Sequence, residues 1–394
     1  MQTKPPVYVF YVIVISQFCC TSLWFAVNAV LPQLQSEFHW PVESLGYTTS
    51  AIQLGFIIGT LTFALLGLSD RLSPSFLFFI SSLLGAAANA MILLERSSIE
   101  LNLISRCATG FFLAGVYPVG MKIASDWNKE GLGHWLGALV GALVLGTAFP
   151  HGLKLIPGFV DPYILVVSVS VLAVSGGLAM WLFVQDGPFH KASSRFSFRE
   201  VHGVFRYNTF RAAALGYFGH MWEVYAFWAF VPVVLLFYQQ QTPVEFSASG
   251  WSFAVIASGF LGCLLGGKLS LIYGSKTIAS IALVASAICC LVSPWFFEMP
   301  FPVFMSLMMF WGFMVVADSP QFSALVASHA PSHIRGSAIT MTTCIGFAIT
   351  IVSIQLLNFS LHLIATPYLL LLLAPGPVLG LIFLHQQKLS SWIK

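Results

Sequence analysis

Charged side chains make up only 8% of these 394 residues, against about 25% in a soluble domain. That scarcity excludes a soluble core, and a net charge of +3 offers no footprint for nucleic acid. Paired cysteine motifs are missing too. The seven cysteines, Cys19, Cys20, Cys107, Cys263, Cys289, Cys290 and Cys344, all lie in apolar runs, and none forms a CxxC pair. Neighbours such as Cys19 and Cys20 point to different helix faces. The set therefore reads as small buried hydrophobes rather than disulfides or metal ligands. No Walker GxxxxGK[ST] loop, HExxH or GxSxG motif occurs, so direct use of ATP and intramembrane hydrolysis are both disfavoured. No cleavable signal peptide is evident, because the first apolar run, 8–34, is too long for a signal h-region.

Apolar length is what the chain has in abundance. Hydrophobic residues reach 58%, and Phe alone occurs 36 times. A helix needs about 20 apolar residues to cross the hydrocarbon of a bilayer. Candidate spans run over 8–34, 45–67, 75–94, 99–124, 131–153 and 161–184, then over 208–238, 246–267, 276–296, 300–327, 336–359 and 363–386. A membrane β-barrel would instead show short alternating segments. The predicted fold is an all-α membrane protein of twelve helices in two six-helix bundles, 1–184 and 208–394. The polar segment 185–207, with Lys191, Arg195, Arg199 and Arg206, reads as a cytoplasmic linker, with a short amphipathic helix around Phe196–Phe205.

Orientation follows from the placement of Lys and Arg. With the N-terminus inside, 14 of the 17 cations fall on the cytoplasmic side, Arg96 and Lys154 fall outside, and Arg106 lies within a span. The outer loops are acidic, with Glu37, Glu43, Glu95, Glu100, Asp161, Glu245 and Glu298. The two halves also repeat. Pro32 answers Pro232, Leu68-Ser69-Asp70 answers Leu269-Ser270-Leu271, and Val116-Tyr117-Pro118 answers Asp318-Ser319-Pro320. Three matches in order at nearly one offset argue for two parallel repeats.

A charge at bilayer depth costs about 3 kcal/mol on insertion scales and is kept where it faces protein or a wet cavity. Four ionisable residues stand at depth: Arg106 in the fourth span, His220 and Glu223 in the seventh, and Asp318 in the tenth. His220 and Glu223, three residues apart, share a helix face. Buried carboxyl and imidazole groups can trade protons near neutral pH. The pair is read as a proton carrier, or else as a structural hydrogen-bonded pair. Together with Asp318 it could also ligate a metal, although no cysteine or second histidine clusters nearby in sequence. The Arg106 fork suits a carboxylate or small oxyanion, or else clamps helices through backbone carbonyls.

Between the second and third spans stands Gly67-Leu68-Ser69-Asp70-Arg71-Leu72-Ser73-Pro74, and Arg106-Cys107-Ala108-Thr109-Gly110 lies in the fourth. With these pieces the chain resembles the major facilitator superfamily of secondary transporters, with their Gly-x-x-x-Asp-Arg-x-Gly loop and Arg-x-x-x-Gly signature. The first glycine is shifted by one place, and Ser73 replaces the second. The copy at Gly267–Lys276 keeps both glycines and has Leu271 in place of the acid. The Tyr117–Lys122 and Asp318–Ser323 stretches look like the cyanate and nitrate/nitrite permease branch.

The resemblance implies a cavity lined by the first, fourth, seventh and tenth spans and rocking alternating access. It implies a use of the Arg106 position in structure and proton coupling. Candidate substrate or coupling residues are Glu223, His220, Asp318, Arg106, Asn28, Tyr117, Trp222, Tyr225 and Gln321. Candidate inner-gate residues are Asp70, Arg71, Lys122 and Asp126, the last two also readable as an ordinary surface pair one helical turn apart. Glycines such as Gly137, Gly141, Gly146 and Gly346 permit close helix approach in spans five and eleven. The Gly146-Thr147-Ala148-Phe149-Pro150 run departs from the Gly-Pro signature of drug-efflux members. The expected cargo is a small polar or anionic solute, moved with protons across a bacterial-type inner membrane by a monomer with no cofactor. Efflux of amphipathic compounds and transport of a metal or metal chelate are the alternatives.

The orientation is testable at once. Reporter fusions at Glu43 and Arg195 are expected on opposite sides of the membrane, with Arg195 inside. Finding both on one side would refute the charge-based topology.

Overall fold

The computed structural model describes residues 6–95, 98–128, 132–189 and 202–392. Twelve of its helical stretches are long and apolar enough to span a bilayer. They are Val7–Phe38, Ser44–Leu66, Pro74–Leu93, Ile99–Trp127, Gly133–Leu153 and Pro162–Phe183, then Asn208–Gln241, Ala248–Tyr273, Ser275–Phe296, Phe301–His329, Ser332–Ser360 and Thr366–Gln386. They are called the first to twelfth spans below. No strand occurs among the described residues. Lys191, Arg195 and Arg199, and most of the amphipathic helix expected around Phe196–Phe205, lie outside the described residues, as do Lys4, Arg96, Lys129 and Lys394.

Several spans outrun the apolar runs that predict them. The first continues through Gln33 and Gln35 to Phe38 and stops where His39 turns left-handed, at φ 54°. The seventh runs on through three glutamines to Gln241. Helical hydrogen bonds do not depend on apolar side chains, so a helix can continue into the polar boundary until a backbone signal ends it. At the end of the second span that signal is Gly67, at φ 59°.

Three spans are broken in the middle. The first divides into Val7–Thr21 and Ala26–Phe38. The fourth divides into Ile99–Leu113 and Tyr117–Trp127, and the tenth into Phe301–Ala317 and Ser319–His329. Pro118 and Pro320 each sit in the first turn after the break. Proline lacks an N–H and is tolerated there, whereas inside a helix it would cost a hydrogen bond. The repeated proline motif thus marks one structural event in both halves.

The chain forms two compact units, Met1–Arg195 and Phe196–Lys394. Each contains six spans, and one crossing recurs in both. In the first unit the second and fourth spans touch backbone to backbone. A Cβ at Gly55 would lie 1.8 Å from the Cys107 carbonyl oxygen, and one at Gly110 would lie 2.0 Å from that of Ile52. In the second unit the eighth and tenth spans meet the same way. There a Cβ at Gly262 would lie 2.3 Å from the Phe313 carbonyl oxygen, and one at Gly312 would lie 2.1 Å from that of Val255. Lipid supplies no hydrophobic drive between helices, so close backbone approach is a main source of adhesion.

Gly110→Val and Gly312→Val should therefore each destabilise the protein by about 1–3 kcal/mol through overpacking. Gly133→Val, at a position with open space around it, should be close to neutral. Thermal unfolding of the purified variants in detergent measures this. Equal melting of all three would contradict the tight crossing.

Candidate functional site

The seventh span is continuous from Asn208 to Gln241 and holds two buried ionisable groups a turn apart. Glu223 is 2% exposed. Its Oε1 accepts from Ser286 Oγ at 2.5 Å, Trp311 Nε1 at 2.7 Å and Cys290 Sγ at 3.4 Å. The donors come from the ninth and tenth spans and are all neutral. An indole N–H can only donate, so Oε1 keeps its acceptor role whether or not the carboxyl carries a proton. Three donors on one oxygen leave Oε2 as the oxygen for that proton.

His220 has a different partner. Its Nδ1 lies 2.9 Å from Asp318 Oδ1, with both side chains almost fully buried. That is ion-pair distance, but the approach is off the angle of a hydrogen bond. The sequence suggests His220 and Glu223 as one pair. The structure divides them between two partners, because Asp318 closes the first half of the broken tenth span beside His220. Phe322, a turn further on, covers the imidazole with ring centroids 6.1 Å apart. Among the described residues, no three His, Cys, Asp or Glu side chains gather in a way that could hold a metal.

The other expected residues of this unit are placed as follows. Trp222 Nε1 donates to the Leu372 carbonyl in the twelfth span at 3.0 Å. Tyr225 is buried, with Trp228 and Phe347 each 5.2 Å from it between ring centroids. Gln321 is buried, and its Nε2 has no hydrogen-bond partner. Ser286, Cys290 and Trp311 escaped the sequence reading. Ser286 and Cys290 do stand four apart, one helical turn, and so could have been taken as a polar stripe on an apolar helix.

In the first unit Arg106 is 0% exposed. Nη1 donates to Asn89 Oδ1 at 2.9 Å, and Nη2 donates to the Leu23 carbonyl at 3.1 Å and to the Trp24 carbonyl. Leu23 and Trp24 are in the break of the first span, where carbonyls are freed from the helical ladder. The guanidinium thus meets acceptors that the broken helix leaves open. Asn28 Nδ2 donates to Thr49 Oγ1 at 2.8 Å. Tyr117, half-buried, opens the second half of the fourth span.

At the turn between spans two and three, Lys122 Nζ of span four lies 2.5 Å from Asp70 Oδ1 and donates to the Ser69 carbonyl at 2.7 Å. Arg71 is exposed. Asp126 is buried, and its carbonyl accepts from the Phe189 N–H at 2.9 Å. Trp127 Nε1 donates to the Gln185 carbonyl, and Ser73 Oγ to Asp186 Oδ1. The chain leaving the sixth span is thereby tied to the loop that bears Asp70.

The Major Facilitator Superfamily profile matches residues 13–354. The chain belongs to the major facilitator superfamily. It is a multi-pass membrane protein and, as the family is one of transporters, a secondary transporter of small molecules. No curated protein matches it. Among solved structures, the human organic anion transporter MFSD10 (TETRAN) is similar in fold, with a TM-score of 0.73 at 14% identity, over 97% of this chain and 100% of that one.

The Arg106 geometry separates its two readings. Arg106→Leu removes the donors that meet the Asn89 oxygen and the Leu23 and Trp24 carbonyls, and each buried acceptor left unmet costs about 1–3 kcal/mol. It should lower the melting temperature of this transporter sharply, and Arg106→Lys, which keeps the charge but not the fork, should lower it less. A stable Arg106→Leu protein that has lost only solute binding would return the arginine to the substrate.

Proposed function

We propose that this transporter couples the movement of a small polar or anionic solute to protons by alternating access, with Glu223 as the main proton-carrying group. The observation that carries this reading is the convergence of three neutral donors on one oxygen of a buried carboxyl. A carboxyl held this way can load and unload a proton on its other oxygen without repacking. Losing or gaining a buried charge biases two conformations that differ by a few kcal/mol. His220 and Asp318, at 2.9 Å, join the seventh span to the tenth on the same unit.

We assign the inner gate to Asp70 and Lys122, with Arg71 and Asp126 beside them, and the cavity edges to Asn28, Tyr117, Trp222, Tyr225 and Gln321. Residues 1–184 and 208–394 are the two moving bundles and 185–207 the cytoplasmic linker. The protein works as a monomer in a bacterial-type inner membrane with both termini inside. Organic anions, the cargo named for the similar human protein, fall within the proposed solute class. A second reading, efflux of an amphipathic compound, draws on the buried Tyr225, Trp228 and Phe347 rings.

Proteoliposomes under an imposed pH difference test the coupling, with a panel of small organic and inorganic anions and one amphipathic cation. One pH unit can drive up to about tenfold accumulation per proton. Glu223→Gln keeps an oxygen for the three donors and mimics the protonated state. It should abolish accumulation while leaving solute exchange at equilibrium. Accumulation that survives in Glu223→Gln would move the coupling to Asp318, and accumulation of the amphipathic cation alone would favour efflux.

A further inference from the structure

The first unit contains a set of buried polar groups that the proton chemistry does not use. Gln53 is 0% exposed, and neither its Nε2 nor its Oε1 has a hydrogen-bond partner. Thr147 Oγ1, His151 Nε2 and Asn28 Oδ1 are likewise buried and without partners. Contacts between the spans bring all four to the same level.

The first and second spans are joined by the Asn28–Thr49 hydrogen bond at 2.8 Å and by the Trp24 and Phe56 rings at 5.0 Å. Gln53 lies between Thr49 and Phe56, one turn from Thr49 and on its face. The fifth span runs along the first from Gly146, where a Cβ would lie 2.3 Å from Thr21 Oγ1, to Lys154, whose Nζ donates to the Ala29 carbonyl at 3.0 Å. Thr147 and His151 fall between those contacts, one turn apart. The shared level is the break of the first span, where the helix is interrupted between Thr21 and Ala26.

A polar group kept unmet at this depth is costly unless a partner from outside the protein meets it. The donor and acceptor inventory narrows that partner. Gln53 offers two N–H bonds and a carbonyl, Asn28 a carbonyl, Thr147 a hydroxyl that acts both ways, and His151 a ring nitrogen whose role follows its tautomer. An ion that only accepts, such as nitrate, would leave the Gln53 and Asn28 carbonyls unmet. Hydroxyl groups, which donate and accept at once, satisfy the whole set. None of the first unit's described carboxylates lies on this stretch, and Lys154 borders it. A single negative charge on the solute is therefore tolerated.

We infer that the break of the first span, with Gln53, Asn28, Thr147 and His151, is a recognition subsite for a small hydroxylated solute, neutral or singly anionic. This deepens the proposed transport function by naming the solute class, and it places recognition in the unit that does not contain Glu223. Binding at equilibrium, without any gradient, tests it independently of proton coupling.

The full-length protein in detergent is titrated with gluconate, with the neutral polyol xylitol, and with nitrate and propionate, which carry no hydroxyl. Thermal stabilisation reads the affinity. Gluconate or xylitol should stabilise the wild type, and nitrate and propionate should not. Thr147→Val, which keeps volume, and His151→Phe, which keeps an aromatic ring, should each weaken the hydroxylated probe about tenfold, the effect of one lost hydrogen bond. Gln53→Leu should weaken it further. If a variant fails to fold, Thr147→Ser, which restores only the hydroxyl, should bind like the wild type. The inference fails if no hydroxylated probe stabilises the wild type, if nitrate or propionate binds as well as gluconate, or if the folded variants bind unchanged.

Discussion

Hydrocarbon offers no hydrogen bonds, so every polar group carried into it must find its partner within the protein or within a wet cavity. A broken helix and a buried arginine are each expensive alone. Together they offset each other in part, since the arginine's two terminal nitrogens need acceptors and the break leaves carbonyls open, while its Nε stays unmet. Arg106, Asn89 and the Leu23 and Trp24 carbonyls are one such solution. The break in turn releases the first span from straight-helix geometry and sets Asn28 against the second span, with the Lys154 end of the fifth span alongside. The polar stretch of the first unit depends on that one charge-assisted contact.

The second unit answers the same constraint differently. Its buried acids have no arginine among their recorded partners. Glu223 is met by a hydroxyl, a thiol and an indole, and Asp318 by an imidazole. Neutral donors meet a carboxyl oxygen without adding a compensating charge. A permanent cation would have locked the charge in place. The two units thus divide between a cation met by carbonyl and amide oxygens and carboxyls met by neutral donors and an imidazole.

Much of the fold was legible because membrane helices must be apolar over a known length. All twelve spans could be read from hydrophobic runs, with errors confined to ends where the helix continues through residues such as Gln33 and Gln239. The breaks in the fourth and tenth spans were marked by Pro118 and Pro320, although their repetition spoke first of ancestry rather than of helix interruption. The break at Ser22–Phe25 has no proline or glycine and could not be read, since it rests on a contact from a residue some eighty positions away. The tight crossings stand in the sequence as Gly55-x-x-x-Gly59 and Gly262-x-x-x-Gly266, the same small-residue spacing that points to close approach in spans five and eleven. Of the site, Arg106, His220, Glu223 and Asp318 were visible as charges out of place. Their partners were not, because periodicity gives the face of a helix but not the helix opposite it.

The distribution of satisfied and unsatisfied groups adds a last step. Where the second span crosses the fourth, and the eighth the tenth, backbone packs on backbone with no room for a methyl group. Such contacts resist sliding, so each crossed pair should move as one piece. Buried polar atoms without a hydrogen-bond partner include those of Gln53, Thr147, His151 and Gln321. Of these, Gln53 and Gln321 project from members of the crossed pairs. A rigid pair that carries an unmet group can bring it to a solute without first breaking an internal hydrogen bond, so the cost of recognition is met when the protein folds rather than at each transport cycle.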